Sequence, residues 1–194
     1  MPRSGADWPT ERTGHVIILN GTSSSGKSSI AEALLARLDP PHFHLAIDAI
    51  NSMRSRSKTR AVPEAALPDI LRRTRAGFHR AVAGMALAGN DVVMDYVFSE
   101  PWRLRDCLTV LSGLRVILVA VRCDLEELER REQRREDREE GLVRAQVDVV
   151  HAHGDYDIEV WSDRMDANRC AQVIAAELPL VGVVTAFDRL RQVR

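Results

Sequence analysis

Val16-Ile17-Ile18-Leu19-Asn20 followed by Gly21-Thr22-Ser23-Ser24-Ser25-Gly26-Lys27-Ser28 decides the fold. The apolar run bounded by glycine reads as a buried strand, and residues 29–38 read as a helix whose apolar stripe faces that strand. Between them, the two glycines let the backbone curl until successive N–H groups converge on a phosphate, and the helix adds the positive end of its dipole. Lys27 would then reach the outer phosphates of a nucleotide, and Ser28 is placed to ligate the Mg2+ that accompanies them. The candidate nucleotide-binding residues are therefore Gly21, Thr22, Ser23, Ser24, Ser25, Gly26, Lys27, Ser28 and Ser29. Without its flanking strand and helix the stretch would be only a Gly/Ser-rich turn; both flanks are present.

Outward from this point, apolar runs alternate with amphipathic stretches, the pattern of an α/β domain with a mostly parallel sheet between helices. Strands are expected at 43–47, 91–95, 115–121 and 157–160. Leu71, Thr74, Phe78, Val82 and Met85 fall on one face of a long helix closed by Gly89-Asn90. Further helices are expected at 101–111, from Asp124 as its cap, and at 166–178 before Pro179. Residues 1–13, polar and holding Pro2, Gly5 and Pro9, are expected to be disordered or loosely laid on the surface. Residues 14–179 would form the domain, and the extension 180–194 has enough apolar residues, Val183, Val184, Phe187 and Leu190, for one added helix.

Composition bounds the function. The chain has 194 residues, 45% hydrophobic and 28% charged, with a net charge of −1, which gives no global pull toward nucleic acid or membrane. Cys107, Cys123 and Cys170 are far apart, without paired metal spacing, so unpaired thiols in a reducing cytoplasm are expected. The longest apolar runs are strand-sized, too short to span a bilayer. Nothing in the sequence sets the oligomeric state.

In an open parallel sheet ligands gather at the carboxyl ends of the strands, which brings Asp48 and Asp95 forward. Asp95, after Val92-Val93-Met94, has the form of the second acidic motif of phosphate-loop proteins and is expected to hold Mg2+ with Ser28. Asp48, at the end of the second strand and 21 residues beyond Lys27, could accept the proton of a hydroxyl as it attacks a terminal phosphoryl group. Its structural alternative is a helix N-cap. From 124 to 140, fourteen of seventeen residues are charged, and only Leu125 and Leu128 offer anything to bury. Such a segment should project and move, and Arg131, Arg134, Arg135 and Arg138 would form one basic stripe able to close over phosphates as a lid, about 124–144. A solvated helix laced by pairs such as Glu127 with Arg131 is the alternative. His151 and His153 lack a third ligand, which makes them weak evidence for a metal; His151 and Tyr156 are read as ordering the turn before strand five, near the nucleotide base. Between Asp48 and Glu64 stand Arg54, Arg56, Lys58 and Arg60 and no acid, which reads as a solvated loop or as a contact for an acceptor carrying a carboxylate or phosphate.

Taken together, Ile18 through Ser28, Ile47-Asp48, Asp95-Tyr96-Val97-Phe98, Val121-Arg122-Cys123-Asp124, Glu129-Arg130-Arg131-Glu132 with Arg135 and Asp137-Arg138, Val150-His151 and Tyr156-Asp157 resemble the chloramphenicol phosphotransferase family of P-loop kinases over 15–178. The resemblance implies a three-layer P-loop kinase fold, ATP and Mg2+ as cofactors, and phosphorylation of a small-molecule hydroxyl, with possible antibiotic inactivation. It implies Asp48 as base and Lys27, Arg135 and Arg138 as catalytic groups. Arg131 would lie on the nucleotide, and Arg54, Phe98 and Trp102 join Asp48 on the acceptor side. The rivals are a metabolite or nucleotide kinase of the same fold, or a nucleotide-binding switch; the Asn-Lys-x-Asp element usual in guanine switches is absent.

Overall fold

The computed structural model describes residues 12–134 and 141–193. Five strands, β1 (Val16–Asn20), β2 (His42–Ala46), β3 (Asp91–Tyr96), β4 (Val116–Arg122) and β5 (Ile158–Trp161), form one sheet in the order β2-β3-β1-β4-β5. Every pairing is parallel, with Val16 opposite both Val92 and Val116. The helices are α1 (Lys27–Leu35), α2 (Ile47–Ser52), α3 (Arg56–Arg60), α4 (Leu67–Leu87), α5 (Pro101–Val110), α6 (Leu125–Gln133), α7 (Leu142–Val150), α8 (Ala167–Glu177) and α9 (Ala186–Gln192).

The period-two alternation of β1 explains its central place. Val16 and Ile18 pack with Phe78 and Val82 of α4, Cys107 of α5 and Phe187 of α9, whereas Ile17 and Leu19 pack with Ile30 and Leu34 of α1 and Ile174 of α8. Both faces are covered, so the strand reads as an unbroken apolar run, as parallel strands do. The three-layer α/β expectation holds. With β3 on one side and β4 on the other, the carboxyl end of β1 opens at the crevice where such sheets hold ligands.

Several boundaries shift for local reasons. β2 ends at Ala46, whose extended backbone serves as the N-cap of α2, so Asp48 sits in the first turn of a helix rather than at a strand end. Asp124 holds the N-cap position of α6, but its side chain makes no capping bond. Of the segment 1–13, residues 12 and 13 are described, and Arg12 is already tied to Asp91 Oδ2 at 2.5 Å. The tail does form a helix: Thr185 and Asp188 make a capping box, Phe187 is fully buried, and Arg191 donates to the Leu108 and Leu111 carbonyls. Val183 and Val184, expected to help bury it, are instead exposed.

The charged stretch is anchored more firmly than its composition implies. Leu128 is buried, and so is Glu132, whose carboxylate accepts the Gly141 and Val143 amides at 3.0 Å each. A carboxylate at a helix N-terminus satisfies orphan amides and meets the positive dipole end, so Glu132 ties α6 to α7. The lid positions Arg135 and Arg138 fall outside the described residues, and Arg134, the last described residue before them, is exposed. No described helix is long and apolar enough to cross a membrane.

Candidate active site

The loop after β1 is shaped by close approach. A Cβ on Gly21 would stand 2.4 Å from the Val121 carbonyl oxygen and 2.7 Å from Ser25 Oγ, so only glycine lets the chain leave β1 against β4. Ser24 and Gly26 both have positive φ, 61° and 83°, which curls the backbone into the concave form that points amides at an anion. Thr22, Ser23 and Ser25 are buried, and Lys27 is 7% exposed with its Nζ donating to the Thr22 carbonyl at 2.6 Å.

Two bonds hold this loop from α7. Gln146 Oε1 accepts the Ser23 amide at 2.8 Å, and Asn20 Nδ2 donates to the Val150 carbonyl at 2.8 Å and to the Tyr156 hydroxyl at 2.7 Å. Asn20 Oδ1 also accepts the Phe98 amide at 3.0 Å. The His151 ring faces the Tyr156 hydroxyl at 2.6 Å, which orders the turn before β5 as the sequence implies. Burial foremost, then Arg122 and His153, lower the His151 pKa to about 4.

At the mouth of the loop Ser28 Oγ donates to Asp95 Oδ2 at 2.5 Å. Burial raises the Asp95 pKa, but His44, Lys27 and Ser28 together hold it below the usual carboxylate range, so it stays ionised at neutral pH. His44 Nε2 lies 3.9 Å from Asp95 Oδ2 and is buried without a hydrogen-bond partner among the described residues. Ser28 and Asp95 offer one hydroxyl and one carboxylate, hard oxygen donors of the kind that hold Mg2+ alongside phosphate oxygens and water. No cluster of three His, Cys, Asp or Glu that could hold a metal ion exists among the described residues. The residues fit Mg2+.

Ser24, Gly26, Lys27, Ser28, Ser29, Asp48, Asp95, Tyr96 and Val97 line one cleft. The fold thus brings together Asp48, Asp95 and the end of the phosphate loop, which sequence spacing alone could only align along the sheet edge. Arg131 reaches the same place from α6: held by Glu127 and by Ser162, with Nη2 2.7 Å from the Ser162 carbonyl, its Nη1 lies 3.7 Å from where a Gly26 Cβ would be.

Three expected acceptor residues stand apart from that lining. Phe98 faces a separate cavity between α5, the end of α7 and α9, together with Leu104, Leu108 and Leu190. That cavity is larger, about 470 Å³ against about 90 Å³, but it is mostly apolar and carries none of the phosphate-loop groups that line the smaller cleft. Trp102 is half-buried at the start of α5, its Nε1 donating to Glu100 and its ring beneath Arg72. Arg54 donates to Asn51 and Thr74 behind the cleft wall.

The sequence did not foresee the buried chain behind that wall. His79 of α4 bridges Asp106 of α5 at 2.6 Å and the Tyr96 hydroxyl at 2.8 Å, and is itself fully buried. These residues come from three elements and share no spacing that could reveal them. They fix Tyr96, and through it the backbone between Asp95 and Val97.

Comparison with known proteins bears on the fold and the family. A Mycobacterium tuberculosis (strain ATCC 25618 / H37Rv) protein provisionally named an O-phosphotransferase is 28% identical over 200 residues, covering 92% of this chain and 88% of that protein. Among solved structures, a sugar kinase from Janibacter sp. HTCC2649 has a TM-score of 0.62 at 19% identity, covering 89% of this chain and 98% of that one. The Mycobacterium tuberculosis APS kinase CysC, in complex with AMPPNP and APS, has a TM-score of 0.60 at 19% identity, covering 87% and 99%. At that identity the two structures show the kinase fold. The family model described as chloramphenicol phosphotransferase-like protein matches residues 14–179, and the chain belongs to that family.

Proposed function

We propose that the protein transfers the γ-phosphoryl group of ATP to a hydroxyl of a small molecule, in the manner of a chloramphenicol 3-O-phosphotransferase. The observation that carries this reading is the single cleft lined by Lys27, Ser28, Asp95 and Asp48. The nucleotide phosphates would lie on 21–28 with Lys27 against the outer ones. Asp48, in the first turn of α2, would take the hydroxyl proton as the acceptor oxygen bonds to phosphorus. The bond to the oxygen bridging the β- and γ-phosphates breaks, and ADP leaves with that oxygen. Mg2+ held by Ser28 and Asp95 would supply neutralisation of phosphate charge. Arg131, beside Gly26, would bear on the nucleotide, and Arg135 and Arg138 would complete the closing stripe. Nothing in this scheme needs a covalent enzyme intermediate, since positioning and electrostatics suffice. A cytoplasm with ATP at hand is the compartment the scheme calls for, and the thiols Cys107, Cys123 and Cys170 are unpaired.

Asp48→Asn tests the reading, with ADP release followed across a panel of alcohols that includes chloramphenicol. A positioned base contributes on the order of 10²- to 10⁴-fold, so turnover should fall by at least ~100-fold while nucleotide still binds. Turnover within a few fold of the parent, in a folded variant, would remove Asp48 from the chemistry. Nucleotide binding with no phosphorylated product from any alcohol would favour a regulatory switch.

A further inference from the structure

Arg54, Arg75 and Arg103 lie near one another outside the lining of the cleft, with Glu100 beside them. Arg103 of α5 is 8% exposed, pairs with Glu100, and donates to the carbonyl of Val97, a residue of the cleft lining. Arg54, just beyond α2, donates to Asn51 Oδ1 at 2.7 Å and Thr74 Oγ1 at 2.9 Å, both neutral oxygens. Arg75 follows Thr74 on α4, is half-buried, and has no hydrogen bond or ion pair among the described residues. Glu100 is already engaged by Arg103 and by Trp102 Nε1. Arg75 therefore sits in the field of two other guanidiniums without a countercharge of its own.

That arrangement is costly. Burial first, then Arg103 and Arg54, push the Arg75 pKa down, against the opposing pull of Tyr96 and Glu100. A partly desolvated guanidinium is disfavoured until an anion reaches it, and its planar fork matches carboxylate or phosphate oxygens in a bidentate fashion. The neighbouring chain adds Arg56, Lys58 and Arg60 in α3, and no acid stands between 49 and 63.

We propose that Arg75, with Arg54 and Arg103 beside it, binds an oxyanion carried by the acceptor, so that the substrate is an anionic alcohol, phosphorylated or carboxylated, rather than a neutral one. The inference rests on the reading that this side of the cleft receives the hydroxyl substrate. It would place the anion behind the wall formed by α2 and the segment after β3, with the reacting hydroxyl toward Asp48.

Calorimetric titration of the AMPPNP- and Mg2+-loaded protein with glycerol, glycerate and glycerol 3-phosphate at constant ionic strength tests it, since the loaded nucleotide keeps anions off the phosphate loop. At least one of the two anions should bind ~10-fold or more tightly than glycerol, and which one does so separates carboxylate from phosphate recognition. Arg75→Gln should abolish that preference and Arg75→Lys should keep part of it, with an unchanged melting temperature reporting an intact fold. No preference for an anion, or a preference that survives both Arg75→Gln and Arg54→Gln, would overturn the proposal. ATP consumption by the parent protein, measured alongside, separates the two readings. Anion binding through Arg75 with no alcohol phosphorylated upholds the subsite and refutes the kinase, whereas phosphorylation of neutral alcohols unaffected by Arg75→Gln upholds the kinase and refutes the subsite.

Discussion

Glu132→Ala should unfasten the charged helix from the domain and weaken nucleotide binding at a distance. Glu132 is 6% exposed, and its two oxygens accept the amides of Gly141 and Val143, both at 3.0 Å. A hydrogen bond to a charged group contributes ~1.5–3 kcal/mol net, and a buried donor left unpaired costs about as much. Val143 is fully buried, so its amide bears that loss in full, ~2–3 kcal/mol, while the exposed Gly141 amide is rehydrated and loses only ~0.5–1 kcal/mol. The sum, about 3 kcal/mol, corresponds to a fall in Tm of roughly 6–12 °C for a chain of this length. Glu132→Gln keeps one acceptor oxygen and should cost about half as much. Urea denaturation followed by circular dichroism gives the stability, and hydrogen exchange at Val143 locates it. Because α7 also supplies Gln146 to the Ser23 amide, ATP affinity should drop in the same variant. A stability loss under ~0.5 kcal/mol, with the Val143 amide still protected, would refute Glu132 as the anchor.

Gly21→Ala should weaken nucleotide binding by ~10- to 100-fold, because the added methyl meets the Val121 carbonyl at 2.4 Å and relief of ~1–3 kcal/mol of overpacking must come from the loop. Unchanged ATP affinity in that variant would show that the loop tolerates the displacement. Acid should also destabilise the protein before its carboxylates protonate. His151 has a folded pKa of about 4 against an ordinary 6.5, so the unfolded chain takes up a proton there first. Stability present above pH 6.5 is then lost as the pH falls toward 4 and levels off below it. The full shift would be worth ~3 kcal/mol, which solvent screening of this partly exposed ring reduces to ~1–2 kcal/mol. His15, His79 and His153, each lowered chiefly by burial, act in the same sense. A flat unfolding free energy between pH 6.5 and 4 would contradict this, and His151→Asn should flatten part of the slope.

The strand, loop and helix around Gly21 to Ser28 were legible because their signals are local. Val16 to Ser28 is one continuous stretch in which strand, loop and helix follow from neighbouring residues, and Asp95 falls at the end of an equally clear strand. Helix α7 was not anticipated, although Val143, Gln146 and Val150 show the i, i+3, i+7 spacing of its buried face. The dense charge before it drew the reading toward a free lid. Glu132 defeats composition as a guide, since a charged residue is buried only when specific amides await it, and those amides lie nine and eleven residues away. The His79, Tyr96 and Asp106 chain shows the same limit across greater separations, |i−j| of 17 and 27.

The segment of α2 and α3 escaped the sequence for a further physical reason. Helices α2 and α3 contain no fully buried residue, and only Ile47 and Ile50 of α2, partly buried, pack against the core, too short a pattern to mark a hydrophobic period. Polar bonds such as Arg54 to Thr74 add to that thin apolar contact, and segments with few buried apolar contacts sit at the low end of local stability. On the proposed reading this division has a use. The phosphate loop, Asp95 and the sheet beneath them must keep one geometry for phosphoryl transfer, whereas the wall that meets the acceptor can change its side chains without disturbing the core. The fold is shared with a protein named a sugar kinase and with an APS kinase solved with APS, so acceptor identity is not written into the sheet. It has to be carried by wall residues such as Arg54, Arg75 and Arg103, and their charge therefore bears more directly on the substrate of this protein than the phosphate loop does.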